Sequence, residues 1–162
     1  MSSASGVGDW GGDARFHGAW SLQSFTERDA GGGNDETFPY GADARGSIVY
    51  SPCGVVSYQL CAGPAARPCF ASGDFMRGTQ AELAAAAASF RSYVANWRAD
   101  AAAGVVTHDV QLSFHSNREG VRLRRSYEFR AGGDELVLVP LAADASPGAG
   151  TRREELVWRR VR

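Results

Sequence analysis

The segments VVTHDVQLSF (105–114) and VRLRRSYEFR (121–130) decide the fold, because apolar and polar residues alternate along each of them. Successive strand residues point to opposite sides, so this alternation is typical of β-strands with one buried face. Each apolar face carries one ionisable group, His108 on the first and Arg125 on the second. Burying such groups without partners costs several kcal/mol. We therefore expect that they either have structural partners or face a cavity that receives a ligand.

The short loop at 115–120 predicts that these two strands pair as an antiparallel hairpin. Residues whose numbers sum to about 235 then lie opposite each other, which places His108 across from Tyr127 and diagonal to Arg125. Cross-strand neighbours of this kind are within side-chain reach. The sequence therefore predicts that all three side chains project into one cavity.

Further short strands flank this pair, separated by turn signals. The turns are SPCG at 51–54, where Gly54 is expected to need a positive φ, and AGGD at 131–134. We predict strands at 19–27, 36–40, 45–51, 54–61, 95–99, 105–114, 121–130, 135–140 and 151–161. Many short strands between turns are typical of an antiparallel sandwich or barrel. The predicted fold class is all-β, a single antiparallel barrel of about 8–10 strands, since closure removes exposed sheet edges.

One helix interrupts the predicted strands. Thr79 and Glu82 form a capping-box pattern at its start. The apolar stripe that follows, on a run of strong helix formers, consists of Leu83, Ala87, Phe90 and Val94. Trp97 continues this stripe but also alternates with Tyr93, as residues of a strand do. We predict a short helix over about 79–94 across one end of the barrel.

Length and composition fit one globular domain. The chain has 162 residues, of which 44% are apolar, and a net charge of −1, as ordinary soluble domains do. We predict a disordered tail at 1–17, rich in Gly, Ser and Asp, and a barrel domain at 18–162. The tail lacks the basic and apolar regions of a secretory signal, and no apolar run approaches the length of a membrane span. A cytoplasmic location is therefore the default expectation.

The types and spacing of the polar residues argue against several functions. All 17 basic residues are arginine, so Schiff-base catalysis by lysine is excluded. The arginines form no basic stripe, so nucleic acid is not an expected partner. Cys53, Cys61 and Cys69 lack the spacing of a zinc site or a disulfide framework, and the three histidines lack metal-ligand spacing. We expect no metal and no other cofactor.

Several motifs follow one another in a fixed order. They are GAW (18–20), FPYG (38–41), RGSIVYSPCG (45–54), FASGD (70–74), GVVTH (104–108) and ELVW (155–158). Together they resemble the bacterial and fungal lipocalin-like domains over residues 18–162. The resemblance implies a small barrel that is plugged at one end by Trp20 and holds an apolar or amphipathic molecule in an internal pocket. Some related barrels act as cyclases or isomerases. The chain has SNREG at 116–120 where the family pattern resembles Pro-Asn-Trp-x-Gly, so this part of the pocket rim differs.

Four polar side chains are candidate catalytic residues. His108 is a candidate acid or base because the pKa of histidine lies near neutrality, and the alternative is a core histidine bonded to a backbone carbonyl. Arg125 is suited to bind a carbonyl or enolate oxygen, or it has a structural role. Tyr58 and Tyr127 are phenols that can stabilise charge developing on a substrate. The residues expected to line a ligand pocket, with core filling as the alternative, are Tyr50, Trp97, Val110, Phe114, Leu123 and Trp158.

Two functions fit these features. The first is a cofactor-independent enzyme of bacterial secondary metabolism, a cyclase or isomerase acting on a hydrophobic, polyketide-like intermediate inside the barrel. Holding the substrate in a reactive conformation would supply much of its rate. The second is a non-catalytic carrier or sensor of a small apolar ligand. In both cases the expected partner is a small hydrophobic molecule, with no nucleic acid and no membrane, and homodimer formation stays open.

Overall fold

The structure, a computed structural model, describes residues 10–29, 35–144 and 152–162. In these residues the chain forms nine β-strands and one α-helix, with short 3-10 turns between them. The strands are β1 (Gly18–Asp29), β2 (Glu36–Thr37), β3 (Arg45–Tyr50), β4 (Val55–Cys61), β5 (Phe90–Asp100), β6 (Val105–Ser113), β7 (Arg122–Arg130), β8 (Glu135–Pro140) and β9 (Arg152–Arg160), and the helix is α1 (Gln80–Ala88). Every predicted strand overlaps an observed one, and the predicted all-β fold class is confirmed.

Eight of these strands close into an antiparallel barrel. From β3 to β9 each strand pairs with the next, and β1 pairs with both β3 and β9. The short β2 is the additional strand, paired with the end of β1 at Glu27 and Arg28. Closure pairs the backbone groups that an open sheet would leave exposed along its edges. The helical segments within the described ranges are all too short or too polar to cross a membrane.

The barrel has a closed end and an open end. The closed end, where β1 and β6 begin, is filled by aromatic rings around Phe16. The ring centroid of Phe16 lies 5.0 Å from that of Tyr50, 5.3 Å from that of Trp97 and 4.8 Å from that of Tyr127. The open end, called the mouth below, is where β5 and β7 begin and where α1 leads into β5. Because the closed end is filled by side chains, the mouth is where space for a ligand remains.

Part of the predicted disordered tail at 1–17 packs against the barrel, which differs from the prediction. Ala14–Phe16 form a 3-10 turn, and Phe16 is fully buried. The Phe16 carbonyl accepts a hydrogen bond of 2.8 Å from Nε1 of Trp20. Two isolated aromatic residues in a polar segment, Trp10 and Phe16, produce no periodic pattern, so the sequence does not reveal this contact. The remainder of the predicted tail, 1–9, lies outside the described residues.

The predicted end of the helix near Val94 is wrong, because α1 ends at Ala88 and β5 begins at Phe90. The capping box at the start of α1 is formed as predicted. From Phe90 onward the chain pairs with β4, and along most of its length it also pairs with β6. Tyr93 and Trp97 point into the barrel and are buried. Pairing with two neighbouring strands thus outweighs the helical spacing of the apolar residues.

The predicted register of β6 and β7 is also wrong. His108 lies opposite Leu123, whereas the prediction placed it opposite Tyr127, and Arg125 lies opposite Val106. The displacement from 127 to 123 is an even number of residues, so His108 and Arg125 both keep their inward orientation. Beyond its last pair with β7, β6 continues and pairs with β5. The two strands therefore share a shorter ladder than their alternating patterns suggest.

Candidate ligand-binding site

His108 lies at the centre of a buried hydrogen-bond network. Its side chain is fully buried. The Tyr50 hydroxyl lies 2.9 Å from Nε2 of His108, and the Tyr93 hydroxyl lies 2.8 Å from Nδ1. Nη1 of Arg125 lies 3.2 Å from the same Nδ1. Four different strands each direct one of these side chains inward, and both ring nitrogens have partners.

These partners determine where the imidazole carries its proton. The guanidinium of Arg125 can only donate hydrogen bonds, so Nδ1 of His108 accepts and the proton of the neutral ring is on Nε2. Nε2 then donates to the Tyr50 hydroxyl, and the Tyr93 hydroxyl donates to Nδ1. Burial, and after it the charge of Arg125, hold the pKa of His108 well below its ordinary value. The imidazole is therefore neutral at physiological pH and a weak base.

A pair of stacked tyrosines connects this network to a cavity. The rings of Tyr58 and Tyr93 are stacked, with centroids 4.7 Å apart and an interplanar angle of 15°. Burial raises the pKa of Tyr58, so its hydroxyl stays protonated and is able to donate. Arg125 is also buried, with 8% of its surface exposed. Tyr58 and Arg125 both line a small cavity below the mouth, called the inner cavity.

The inner cavity is small and polar. Its volume is about 20 Å³. The charged and hydroxyl-bearing side chains of its wall are Tyr58, Arg91, Arg118, Arg124, Arg125, Asp144 and Glu154. One water molecule needs roughly 10–15 Å³ measured in this way. The inner cavity is therefore large enough for a water molecule and too small for the body of a ligand.

A much larger cavity opens at the mouth. This mouth cavity has a volume of about 750 Å³, within the roughly 300–1,000 Å³ of typical small-molecule sites. Its apolar wall consists of Ala87, Ala88, Phe90, Phe114, Val121 and Leu123. Arg91 and Arg118 line both the mouth cavity and the inner cavity. The two cavities therefore adjoin, with an apolar space outside and a polar one inside.

The predicted site residues divide between these cavities and the packed core. Tyr58 and Arg125 line the inner cavity, Phe114 lines the mouth cavity, and Leu123 lines both. The other six line neither cavity in the part of the chain that the structure describes: Tyr50, Trp97, His108, Val110, Tyr127 and Trp158. Tyr127 lies against Phe16 near the closed end instead of joining His108. The catalytic and ligand-binding roles of all ten residues stay predictions.

Four other residues of this region are absent from the predicted site, and sequence patterns do not reveal three of them. Tyr93 and Arg91 lie in the segment whose spacing also suits a helix. Arg118 lies in a 3-10 turn between β6 and β7, where no periodic pattern indicates which way its side chain points. Glu154 is the exception, because it alternates with the buried Leu156 on β9. That alternation is the one signal from which an inward carboxylate could be predicted.

Metal-binding and redox-active groups do not cluster in the described ranges. No three side chains of His, Cys, Asp or Glu there lie close enough together to hold a metal ion. The three cysteines are free thiols, with Cys53 and Cys69 exposed and Cys61 partly buried. The polar groups that line the inner cavity or contact His108 are therefore arginines, tyrosines, Asp144 and Glu154.

The chain matches the sequence model of one known protein family. A family model described as a lipocalin-like domain matches residues 17–161, nearly all of the 162 residues. No match was found among curated proteins. The matched range begins just before β1 and ends just after β9, so it covers the whole barrel. The resemblance seen in the sequence motifs is confirmed.

Proposed function

The chain belongs to the lipocalin-like domain family, and from this membership we propose that it binds a small hydrophobic molecule in the mouth cavity. A lipocalin-like barrel suggests a ligand of this kind. The observation that carries the proposal is the cavity of about 750 Å³ with an apolar wall at the open end of the barrel. The polar inner cavity lies directly beneath it, which suits a ligand with one polar end.

Exposed apolar side chains at the mouth support this proposal. Phe114 is 53% exposed and Val121 is 39% exposed, and both lie on the wall of the mouth cavity. Removing apolar surface from water is favourable by roughly 25 cal/mol per Å². A ligand that covers Phe90, Phe114 and Val121 therefore gains affinity without any new hydrogen bond.

A neutral fluorescent probe, N-phenyl-1-naphthylamine, tests the proposal. We expect saturable binding at a single site, because the mouth cavity has the size of one small molecule. Phe114→Ser should weaken binding about tenfold, since it removes much of one aromatic contact. Leu112→Ser is the matched control, because Leu112 is 64% exposed but lies outside the mouth cavity. The absence of saturable binding, or equal weakening in both variants, would contradict the proposal.

A second candidate is a cofactor-independent cyclase or isomerase of bacterial secondary metabolism that acts on a hydrophobic, polyketide-like intermediate. Tyr58 and Arg125 favour it, because they are buried donors on the wall of the inner cavity. Donors in a site shielded from water stabilise negative charge that develops on a carbonyl oxygen during enolisation, when the α-proton passes to a base from the solvent. His108 then serves as a positioning residue through its 3.2 Å contact with Arg125.

Hydrogen–deuterium exchange at the α-carbon of a hydrophobic aryl ketone distinguishes this enzyme from a carrier. An enzyme that stabilises the enolate accelerates the exchange, which proton NMR measures, and a carrier does not. Arg125→Gln and Tyr58→Phe should each lower the acceleration by about 10²–10³, the effect of losing one oxyanion donor. Binding of the fluorescent probe by both variants shows that the barrel is intact. Ketone binding without accelerated exchange would leave the carrier as the function.

A further inference from the structure

The inner cavity has room for one oxygen atom of a ligand. Its volume is about 20 Å³, which is more than the roughly 10–15 Å³ that one water molecule needs and less than two would need. Arg91 and Leu123 line both this cavity and the mouth cavity. A molecule in the mouth cavity can therefore extend one terminal oxygen into the inner cavity, whereas a polar end with two oxygen atoms does not fit there.

Two buried hydrogen-bond donors lie on the wall of the inner cavity. Tyr58 is 4% exposed and Arg125 is 8% exposed. Nη1 of Arg125 contacts Nδ1 of His108 at 3.2 Å, and a guanidinium has further N–H groups that can only donate. Within the described ranges the Tyr58 hydroxyl has no hydrogen-bond partner. A buried polar group without a partner is unfavourable, so an oxygen atom that accepts from both donors is stabilised in this cavity.

A carboxylate on the same wall is able to accept a hydrogen bond from the ligand. Glu154 is half-buried and alternates with the buried Leu156 on β9. Asp144, the other carboxylate on this wall, is paired with Arg124 at 2.9 Å. An ionised carboxylate has about four acceptor sites, so Glu154 can accept from a ligand while it attracts the nearby guanidiniums. A ligand atom that covers this charge without donating to it removes water without replacing the lost hydrogen bond, which is unfavourable. The oxygen atom that suits this wall therefore carries a hydrogen atom.

We infer that the ligand is an apolar molecule with a hydroxyl group at one end, and that this hydroxyl occupies the inner cavity. The hydroxyl oxygen accepts from Tyr58 and Arg125, and its hydrogen is donated to Glu154. The inference rests on the proposed function, since it assigns the polar end of the same ligand. A ketone oxygen fits the cavity but leaves Glu154 without a donor. A carboxylate brings a second oxygen atom and a negative charge that Glu154 repels.

Two probes with the same ring system, 1-tetralol and 1-tetralone, test the polar end. Both carry one oxygen atom at the same ring position, and only the alcohol can also donate a hydrogen bond. Displacement of N-phenyl-1-naphthylamine measures their affinities. We expect 1-tetralol to bind about tenfold more tightly than 1-tetralone, the effect of one hydrogen bond to a charged group.

Variants assign the two directions of hydrogen bonding to residues. Glu154→Gln should reduce the ratio of 1-tetralol to 1-tetralone affinity by about fivefold, because a neutral amide is a weaker acceptor than a carboxylate. Tyr58→Phe should weaken both probes by about fivefold and keep the ratio, since both oxygen atoms accept from this hydroxyl. Glu155→Gln is the matched control. It removes the same charge at the next position of β9, which faces the other side of the sheet and lines neither cavity, and should keep both affinities. Dye binding by each variant confirms that the barrel has folded.

Each outcome separates the inference from the proposed function. Equal affinities of the unchanged protein for the two probes, or tighter binding of 1-tetralone, would overturn the inference and leave the apolar mouth site intact. Failure of both probes and of the dye to bind would overturn both. A preference for 1-tetralol that is the same in the Glu154 and Glu155 variants would show that the hydroxyl donates elsewhere, and its assignment to the inner cavity would be wrong.

Discussion

His108 links the side chains of Tyr50, Tyr93 and Arg125, which come from three separate strands. Its Nδ1 accepts hydrogen bonds from Tyr93 and Arg125, and its Nε2 donates to Tyr50. A neutral ring held in this way fixes the direction of the Arg125 guanidinium, which lies on the wall of the inner cavity. His108 thus orients a buried cation. Because its ring is neutral in the folded protein, it also makes the stability depend on pH.

Stability should depend on pH through His108. Its pKa is well below the ordinary value in the folded protein and about 6.5 in an unfolded chain. Below about pH 6.5 the unfolded chain binds a proton that the folded chain does not, so the free energy of unfolding falls by up to about 1.4 kcal/mol per pH unit. Above about pH 6.5 neither state binds this proton, so the free energy of unfolding no longer changes with pH through His108. Urea denaturation between about pH 7.5 and 5.5 measures this dependence.

Two histidine variants isolate the effect. His108→Gln should lose this part of the pH dependence, because the group that titrates in the unfolded chain is gone. His115→Gln is the matched control and should keep it, since His115 is an exposed residue and the variant leaves the buried His108 in place. Identical pH dependence in the His108 variant and the unchanged protein would refute the neutral, buried imidazole.

The two tyrosines bonded to His108 should differ in their contribution to stability. Tyr50→Phe leaves the buried Nε2–H of His108 without its acceptor, which costs about 1–3 kcal/mol. Tyr93→Phe removes one of two donors to Nδ1, and Arg125 still donates, so its cost is about 0.5–1.5 kcal/mol. Chemical denaturation of the two variants measures the difference. A greater loss in the Tyr93 variant would contradict the assignment of the proton to Nε2.

The meeting of His108 and Arg125 was predictable from the sequence, whereas their tyrosine partners were not. Alternation places both residues on inward faces of neighbouring strands, and an even displacement of the register preserves that placement. Tyr50 lies on β3, which does not pair with β6. A contact across the barrel interior depends on closure of the whole sheet, and local patterns do not contain this information.

For individual strands, turns and helices, the sequence predicts the local backbone conformation but does not predict which distant segments pair. Gly54 adopts a φ of +83°, as its turn predicted, and the capping box of α1 forms. Both depend on a few adjacent residues. The helix ends earlier than predicted because Phe90 pairs with Cys61 of β4, a contact between segments far apart in sequence. An alanine-rich run with apolar residues at helical spacing does not reveal it.

Gly54 should tolerate substitution poorly. Its positive φ disfavours any residue with a side chain by about 1–2 kcal/mol, and an added Cβ would also collide with Trp10. Gly104 is the matched control, because its φ is +64° and no atom lies within 4 Å of an added Cβ. We expect Gly54→Ala to lower the free energy of unfolding by more than about 2 kcal/mol and Gly104→Ala by about 1 kcal/mol. Equal losses in thermal or chemical denaturation would show that the Trp10 contact is unimportant.

At the scale of the whole molecule, the sequence predicts the barrel but not the position of its open space. The nine alternating segments and their motifs are sufficient for an all-β barrel of this family. The prediction that Tyr50, Trp97 and Trp158 line a pocket assumes an interior that is partly empty. Phe16 and its neighbours instead fill the closed end, and the large cavity lies at the mouth. Free volume depends on how all inward side chains pack together, which no single segment determines.

We propose above all that a small hydrophobic molecule binds at the mouth of this barrel. The most direct test is a titration of the isotopically labelled protein with N-phenyl-1-naphthylamine, followed by amide NMR shifts. We predict saturable shifts at Phe90, Phe114 and Leu123, whose side chains line the mouth cavity, and little change at Phe16 and Trp20 in the packed closed end. Shifts confined to the closed end or to the outer surface, or no saturable shifts at all, would contradict binding at the mouth.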